Sequence, residues 1–220
     1  MPIYLGRIVA AGRTIDGRNT ALYRVSSRSF PNRRIVELGS SLAVVPRPGF
    51  ENDVHKNPYI AYNCVRLVND WAVLTNGSHT DPIAEKLQAG AAPKDAIVGP
   101  MIALDYEKDH LNTPRITVVL RAASPTAWLA IVRHDAMVVK EVPLEPGRIM
   151  YLSTYEANDV RSEQTVELKA ATPDDIARAA CDGPGFVDFT HAVTAAAVVA
   201  EAGGFRMGRY EVSLPTAAGR

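Results

Sequence analysis

Apolar residues along this chain recur in short runs of strand length, and only a few segments show the three-to-four-residue spacing of a helix. Ile3 to Ala11 is apolar and β-prone, Thr14 to Arg18 carries an Asp-Gly turn, and Thr20 to Ser27 returns, which predicts an opening hairpin. Leu42 to Arg47 reads as another strand. Asn57 to Val68 and Trp71 to Leu74 flank Asn69-Asp70 as a second hairpin. Thr80-Asp81-Pro82 offers a cap-plus-proline helix start, with Ile83, Ala84 and Leu87 at helical spacing up to Gly90. A second helix is expected from Pro93 through Leu104, kinked or split at Gly99-Pro100. Strand signals resume over Ile116 to Ala122, Ala127 to Val132, Ala136 to Val142, Ile149 to Thr154 and Thr165 to Lys169. Thr172-Pro173 opens a late helix, the alanine-rich His191 to Ala202 reads as a buried one, and Gly204 to Val212 as a last strand. Leu214 to Arg220 is expected to fray.

Hairpins dominate over alternating βαβ units. The pattern therefore predicts an α+β class: stacked antiparallel sheets covered by helix layers, in one domain over residues 1–220. A chain of 220 residues with 47% hydrophobic content can bury such a core.

Charge narrows the partners. With 24 basic against 24 acidic side chains the net charge is zero, which provides no long-range pull toward nucleic acid or a membrane surface. Cys64 and Cys181 stand far apart without CxxC or Cys/His spacing, so neither a disulfide framework nor a metal site is signalled. No secretory signal and no membrane-length apolar run is present, and a soluble cytoplasmic protein is expected.

Against this neutral background, Tyr23 to Arg34 (YRVSSRSFPNRR) concentrates Arg24, Arg28, Arg33 and Arg34 with Ser26, Ser27 and Ser29, where a strand opens at Pro31-Asn32 into a turn. Guanidinium forks and hydroxyls suit a phosphorylated small molecule; the same stretch would also serve as a solvated charged turn. Three further polar clusters interrupt the elements: Asn57-Pro58-Tyr59 with Tyr62-Asn63, the NGSHTD turn from Asn76 to Asp81, and DYEKDHLNTPR from Asp105 to Arg115. Each also has a plain structural reading as caps, turns and inter-sheet tyrosines.

Together, YRVSSRSFPNR, NPYIAYNCVR, NGSHTDPIA, DYEKD with LNTPRI, YLSTYE and FTHAVTAAA resemble the successive blocks of the archaeal-type IMP cyclohydrolases, in order, over about residues 3 to 200. The resemblance implies a four-layer α-β-β-α sandwich like that of N-terminal nucleophile hydrolases, but without the amino-terminal nucleophile, because the chain begins Met-Pro. It also implies ring closure of 5-formamidoimidazole-4-carboxamide ribonucleotide (FAICAR) to IMP, without cofactor or metal, by a homo-oligomer, a tetramer in the family. Within the matching blocks, catalysis falls to Arg33, Tyr62 and Glu107, and substrate binding to Ser26, Arg28, Asn32, Tyr59, Asn63, Asn76, Ser78 and Arg115. The chemistry agrees with the first three: a guanidinium or phenol can stabilise an oxyanion and a carboxylate can move protons. Tyr59 competes with Tyr62 for the phenol's role, since residues at odd spacing on a strand face opposite ways. His79 is a lesser candidate for the base, and Cys64 reads as an inert core thiol. Two other readings remain: a nucleotide-binding module of the same fold without turnover, and, on MPIYLGR alone, a tautomerase using Pro2, which none of the later blocks supports.

Overall fold

The computed structural model describes residues 2–213, so the expectation for Leu214 to Arg220 lies outside the described residues. Among them the chain forms thirteen strands: β1 (Ile8–Arg13), β2 (Asn19–Ser26), β3 (Arg33–Leu38), β4 (Ser41–Pro46), β5 (Tyr62–Val68), β6 (Trp71–Thr75), β7 (Arg115–Arg121), β8 (Thr126–Val132), β9 (Met137–Pro143), β10 (Arg148–Ser153), β11 (Thr165–Glu167), β12 (Ala192–Glu201) and β13 (Gly204–Glu211). The helices are few and short: α1 (Asp53–Lys56), α2 (Thr80–Gln88), α3 (Pro93–Leu104) and α4 (Pro173–Asp182).

The strands form two sheets, one in the order β11-β10-β1-β2-β12-β13 and the other running β3 to β9 in sequence. Both are antiparallel, and the alternation of side chains across each sheet decides what every strand touches. Val9, Tyr23, Val25, Leu42, Cys64, Leu74, Val118 and Val198 fill the space between the sheets. Ile8, Leu22, Ala195 and Ala197 point the other way, onto Ile176 and Ala180 of α4. Val73, Val119 and Ala130 likewise meet Ile83, Leu87, Ile97 and Met101 of α2 and α3. Helices thus cover the outer faces of two stacked sheets, which explains why β2 is buried along its whole length.

Four expectations need correction. His191 to Ala202 contains β12, a strand and not a helix. Alanine's helix propensity is a weak prior, and here small side chains on both faces let α4 and the opposite sheet approach a central strand, with Val193, Thr194, Val198 and Val199 favouring extension. Helix α3 runs unbroken past Pro100, which is buried beside Ile97 and Met101, so packing outweighs the lost backbone bond. The opening strand begins only at Ile8, because Gly6 adopts φ +71°. A Cβ there would stand 2.1 Å from the Thr154 hydroxyl, so the break is built in, and it sets Arg7 at the mouth of β1. Finally, Pro58–Ile60 is a 3-10 turn, capped by the Asn57 side chain accepting from the Tyr59 N–H at 2.8 Å, which postpones β5 to Tyr62.

Arg24 also departs from its expected role. Facing α4, it is fully buried, and its guanidinium donates to the carbonyls of Ala180 (3.0 Å), Phe186 (3.2 Å), Phe189 and Thr190 (3.4 Å). It is a tie between β2 and the segment that follows α4. Removing it strands several buried acceptors, each costing about 1–3 kcal/mol. Arg24→Met should therefore lower the unfolding free energy by at least about 2 kcal/mol in a denaturant titration; an unchanged midpoint would show that these carbonyls do not depend on the guanidinium.

Candidate active site

The ends of several strands converge at one end of the sandwich. Arg7 precedes β1, Tyr23 lies in β2, Arg33 opens β3, Tyr62 opens β5, Arg115 opens β7, and Tyr155 follows β10. Glu107 arrives on the loop between α3 and β7, whose shape comes from one carboxylate. Asp109 accepts from the N–H groups of Leu111 (3.1 Å) and Thr113 (2.9 Å) and from the Thr113 hydroxyl (2.7 Å). Asp105 and Asn112 supply the positive-φ corners that such a tight loop needs. The Glu107 N–H donates to the Thr113 carbonyl at 2.8 Å, and the side chain, with no solvent exposure, turns inward.

There Glu107 Oε2 accepts from Arg7 Nη2 at 3.0 Å. Behind the pair, Tyr62 meets Tyr23 of the opposite sheet, hydroxyl to hydroxyl at 2.5 Å. Arg33 Nε donates to the Phe30 carbonyl at 3.0 Å and Arg115 Nε to the Asp105 carbonyl at 2.7 Å, which aims both guanidiniums. Gly77 makes room for Arg115: a Cβ there would fall 2.4 Å from its Nη1.

The electrostatics of this cluster follow from burial and from an excess of positive charge. Burial pushes the Glu107 carboxyl above its ordinary range, and Arg7 and Arg115 only partly offset it. Burial is the largest single influence on Arg7 and opposes its charge, but Glu107, Tyr62, Tyr23 and Tyr155 together outweigh it and hold that guanidinium firmly cationic. Burial raises Tyr62, with Arg33 and Arg7 pulling it back, and raises Tyr23 further. Arg7 Nε, Arg33 Nη1, Arg115 Nη1 and Glu107 Oε1 are all buried without a hydrogen-bond partner among the described residues. Leaving one such group unpaired costs about 1–3 kcal/mol, more when it is charged. Arg34 Nε, Arg66 Nε and His79 Nδ1 are unpaired too, but the gathering of three guanidiniums with such atoms around one carboxylate makes this end of the sandwich the candidate site.

A recess of about 160 Å³ opens beside them. Arg7 and Arg33 form part of its wall, Tyr4 and Tyr155 another, and Ser27 to Phe30 with His110 the rim. Arg28 lies exposed on that rim, its guanidinium 4.3 Å from the centre of the Tyr4 ring.

The structure thus brings Arg33, Tyr62 and Glu107 within electrostatic reach of one another, with Arg115 acting on Glu107, the Tyr59 ring centre 5.8 Å from the Arg115 guanidinium, and Arg28 at the rim. Five other sequence candidates sit elsewhere. Ser26 faces α4, where its hydroxyl accepts from Arg24 Nε. Asn63 turns to α2 and donates to Asp81 at 2.9 Å. Asn76 splints the start of β7, donating to the Pro114 carbonyl and accepting from the Ile116 N–H. Ser78 is exposed before α2, and Asn32 is half-buried outside the recess, with its carbonyl bonded to the Arg47 N–H. His79 is no base: burial, helped by Arg115, drives its pKa down to about 3, and Nε2 lies 3.2 Å from the Ile116 carbonyl. Burial also raises the Cys64 thiol, which donates to the Leu42 carbonyl.

Sequence reasoning missed Arg7, Tyr4, the inward role of Tyr23, and Tyr155, whose hydroxyl bonds Thr113 at 2.8 Å. For Arg7 the available signal was a lone charge after a glycine in an otherwise apolar run.

Comparison with known proteins supports the same reading of the chain. Residues 4–204 match the family described as IMP cyclohydrolase-like protein. The IMP cyclohydrolase of Methanosphaera stadtmanae is 44% identical over 195 residues, covering 89% of this chain and 93% of its own. That of Methanococcus maripaludis strain C7 is 40% identical over 203 residues (91% and 97%), and that of Halobacterium salinarum strain R1 is 44% identical over 196 residues (89% and 91%). With a family match across nearly the whole chain and relatives well above the level at which homology is secure, this chain belongs to the IMP cyclohydrolase-like family.

Proposed function

We propose that this protein closes the ring of FAICAR to give IMP and water, the last step of de novo purine synthesis. The observation that carries the mechanism is the set of four unpaired buried groups on Arg7, Arg33, Arg115 and Glu107. In the reaction the carboxamide nitrogen attacks the formyl carbon of the same molecule, the formyl oxygen becomes an alkoxide, and the carbinolamine then loses that oxygen as water. Holding the two arms together supplies much of the acceleration, because effective molarities of ~10⁵–10⁸ M are attainable. What remains is charge and protons. Arg33 and Tyr62 donate to the developing alkoxide, and Glu107, with its raised affinity for a proton, carries one proton from the attacking nitrogen to the alkoxide and a second from the formamido nitrogen to the departing hydroxyl as the C=N bond forms. Arg7 keeps Glu107 in register through the 3.0 Å contact. Arg28, at the rim of the recess, takes the 5′-phosphate, and Arg115, next to Tyr59 and acting on Glu107, adds to the positive field at the reacting end.

The layered sheets and outer helices support kinship with the N-terminal nucleophile hydrolases. We place the protein in the cytoplasm as a single domain that assembles as a homo-oligomer; no described helix is long and apolar enough to cross a membrane.

Incubating the protein with FAICAR alone and following IMP by absorbance tests the proposal. Turnover supports it; tight nucleotide binding without turnover would make the protein a binding module instead. Glu107→Gln keeps the size of the side chain but cannot shuttle a proton, so kcat should fall by about 10²- to 10⁴-fold with substrate affinity largely retained. A near-normal kcat at every pH would remove the carboxyl from proton transfer. Arg28→Ala should weaken IMP binding about tenfold or more while leaving the nucleoside nearly unaffected, since a charge-assisted contact is worth about 1.5–3 kcal/mol. Equal losses for both ligands would place the phosphate elsewhere. Ring closure as proposed asks for proton transfer and charge stabilisation only, and calls on no Lewis acid. Dialysis against a chelator should leave the rate intact, and a loss restored by zinc or magnesium would refute this.

A further inference from the structure

We infer that Tyr23 is a positioning residue for the cyclisation: from the sheet opposite Tyr62, it donates its phenolic proton to the Tyr62 hydroxyl and thereby directs the Tyr62 proton at the substrate oxygen. The inference rests on the ring-closing reading above for its chemistry, but its geometry is independent of it.

Tyr23 has no solvent exposure and sits mid-sheet, opposite Val9 of β1 and Ala196 of β12. Its hydroxyl has one hydrogen-bond partner among the described residues, the Tyr62 hydroxyl at 2.5 Å, and the two rings meet edge-on at 61°. A phenol carries a single proton to donate, so a pair of hydroxyls admits two arrangements. If Tyr62 donated to Tyr23, the Tyr23 proton would have no acceptor among the described residues, since the charged side chains that act on that hydroxyl, Arg7 and Arg33, are donors only. A buried hydroxyl left in that condition is costly. If Tyr23 donates to Tyr62, the Tyr23 proton lies between the rings and the one unplaced proton is that of Tyr62, on the side of Arg33, Arg7 and the unpaired Glu107 Oε1, where a substrate oxygen can take it. Arg33 and Arg7 both act on Tyr62 in the sense that favours negative charge on its oxygen. Charge gathering on a formyl oxygen near Arg33 would draw the Tyr62 proton toward it, and the Tyr23 proton would follow toward Tyr62, each bond strengthening the other. No covalent bond to Tyr23 forms, and its proton settles back once the oxygen, protonated by the two protons that the substrate nitrogens release, leaves as water.

Tyr23→Phe removes the hydroxyl and keeps the ring packing. With FAICAR as substrate, kcat should fall about tenfold or more with KM little changed. In a Tyr62→Phe background the same change should cost almost nothing further, because Tyr23 acts only through Tyr62. A purely structural role would instead give similar losses in both backgrounds, and that result, or an unchanged kcat in Tyr23→Phe, overturns the inference. A second readout needs no turnover. In protein carrying fluorotyrosine, fluorine NMR of the Tyr62 signal, assigned with Tyr62→Phe, should show ionisation at higher pH once Tyr23 is Phe, since a donor to the phenolate has gone. A midpoint that stays or falls also overturns the donor assignment. Should the wild-type protein bind but not convert FAICAR, the ring-closing reading fails while this titration still decides the direction of the Tyr23–Tyr62 bond.

Discussion

A carboxylate with no solvent exposure, held at 3.0 Å by one guanidinium and neighboured by two more, is the constraint around which this molecule is arranged. Taking such charges out of water costs several kcal/mol per ion, and one contact between Arg7 and Glu107 cannot return all of it. Four buried polar groups left unpaired add to the cost. A sandwich seeking stability alone would fill this end with apolar side chains. The net positive charge that results is the environment that the proposed alkoxide needs, and a substrate bound as proposed would meet it already in place, with little reorganisation.

The fold pays that cost through its layers. Neither sheet holds the site by itself: Arg7 and Tyr23 come with the first sheet, Arg33, Tyr62 and Arg115 with the second, and Glu107 with a loop folded around Asp109. The inter-sheet core that runs from Val9 and Val25 to Leu74 and Leu129 sets the distance between them. Residues remote from the recess work on the same geometry. Asn76 fixes where β7 begins and so where Arg115 stands, and Gly6 turns the chain so that Arg7 can reach Glu107.

Much of this was legible in the amino-acid sequence. Short apolar runs separated by Asn-Asp and Pro-Gly turns located most strands, and Thr172 capped its helix as expected, its hydroxyl accepting from the Asp175 N–H. The blocks around Arg33, Tyr62 and Glu107 singled out the residues that now meet, whereas alternation left the choice between Tyr59 and Tyr62 open, and the fold puts Tyr62 on the inner face with the core thiol of Cys64. The same alternation explains the misreading of the basic stretch. Along β2 it sends Tyr23 and Val25 inward but Arg24 and Ser26 toward α4, and local sequence carries no mark of which face is the pocket. The strand β12 was hidden because alanine serves a tightly packed sheet as well as a helix. Arg7 and Tyr23 gain their roles only from partners 100 and 39 residues away, a separation no local pattern reports.

The claim that these groups act on the substrate as one preorganised unit is tested most directly by a double-mutant cycle on kcat/KM with Arg33→Gln, Glu107→Gln and the double variant, each confirmed folded. If the unit is real, the double variant should be little worse than the worse single one, because breaking either part already disables the other. Losses that multiply, each variant contributing its full factor independently, would contradict the account and reduce the cluster to separate contacts.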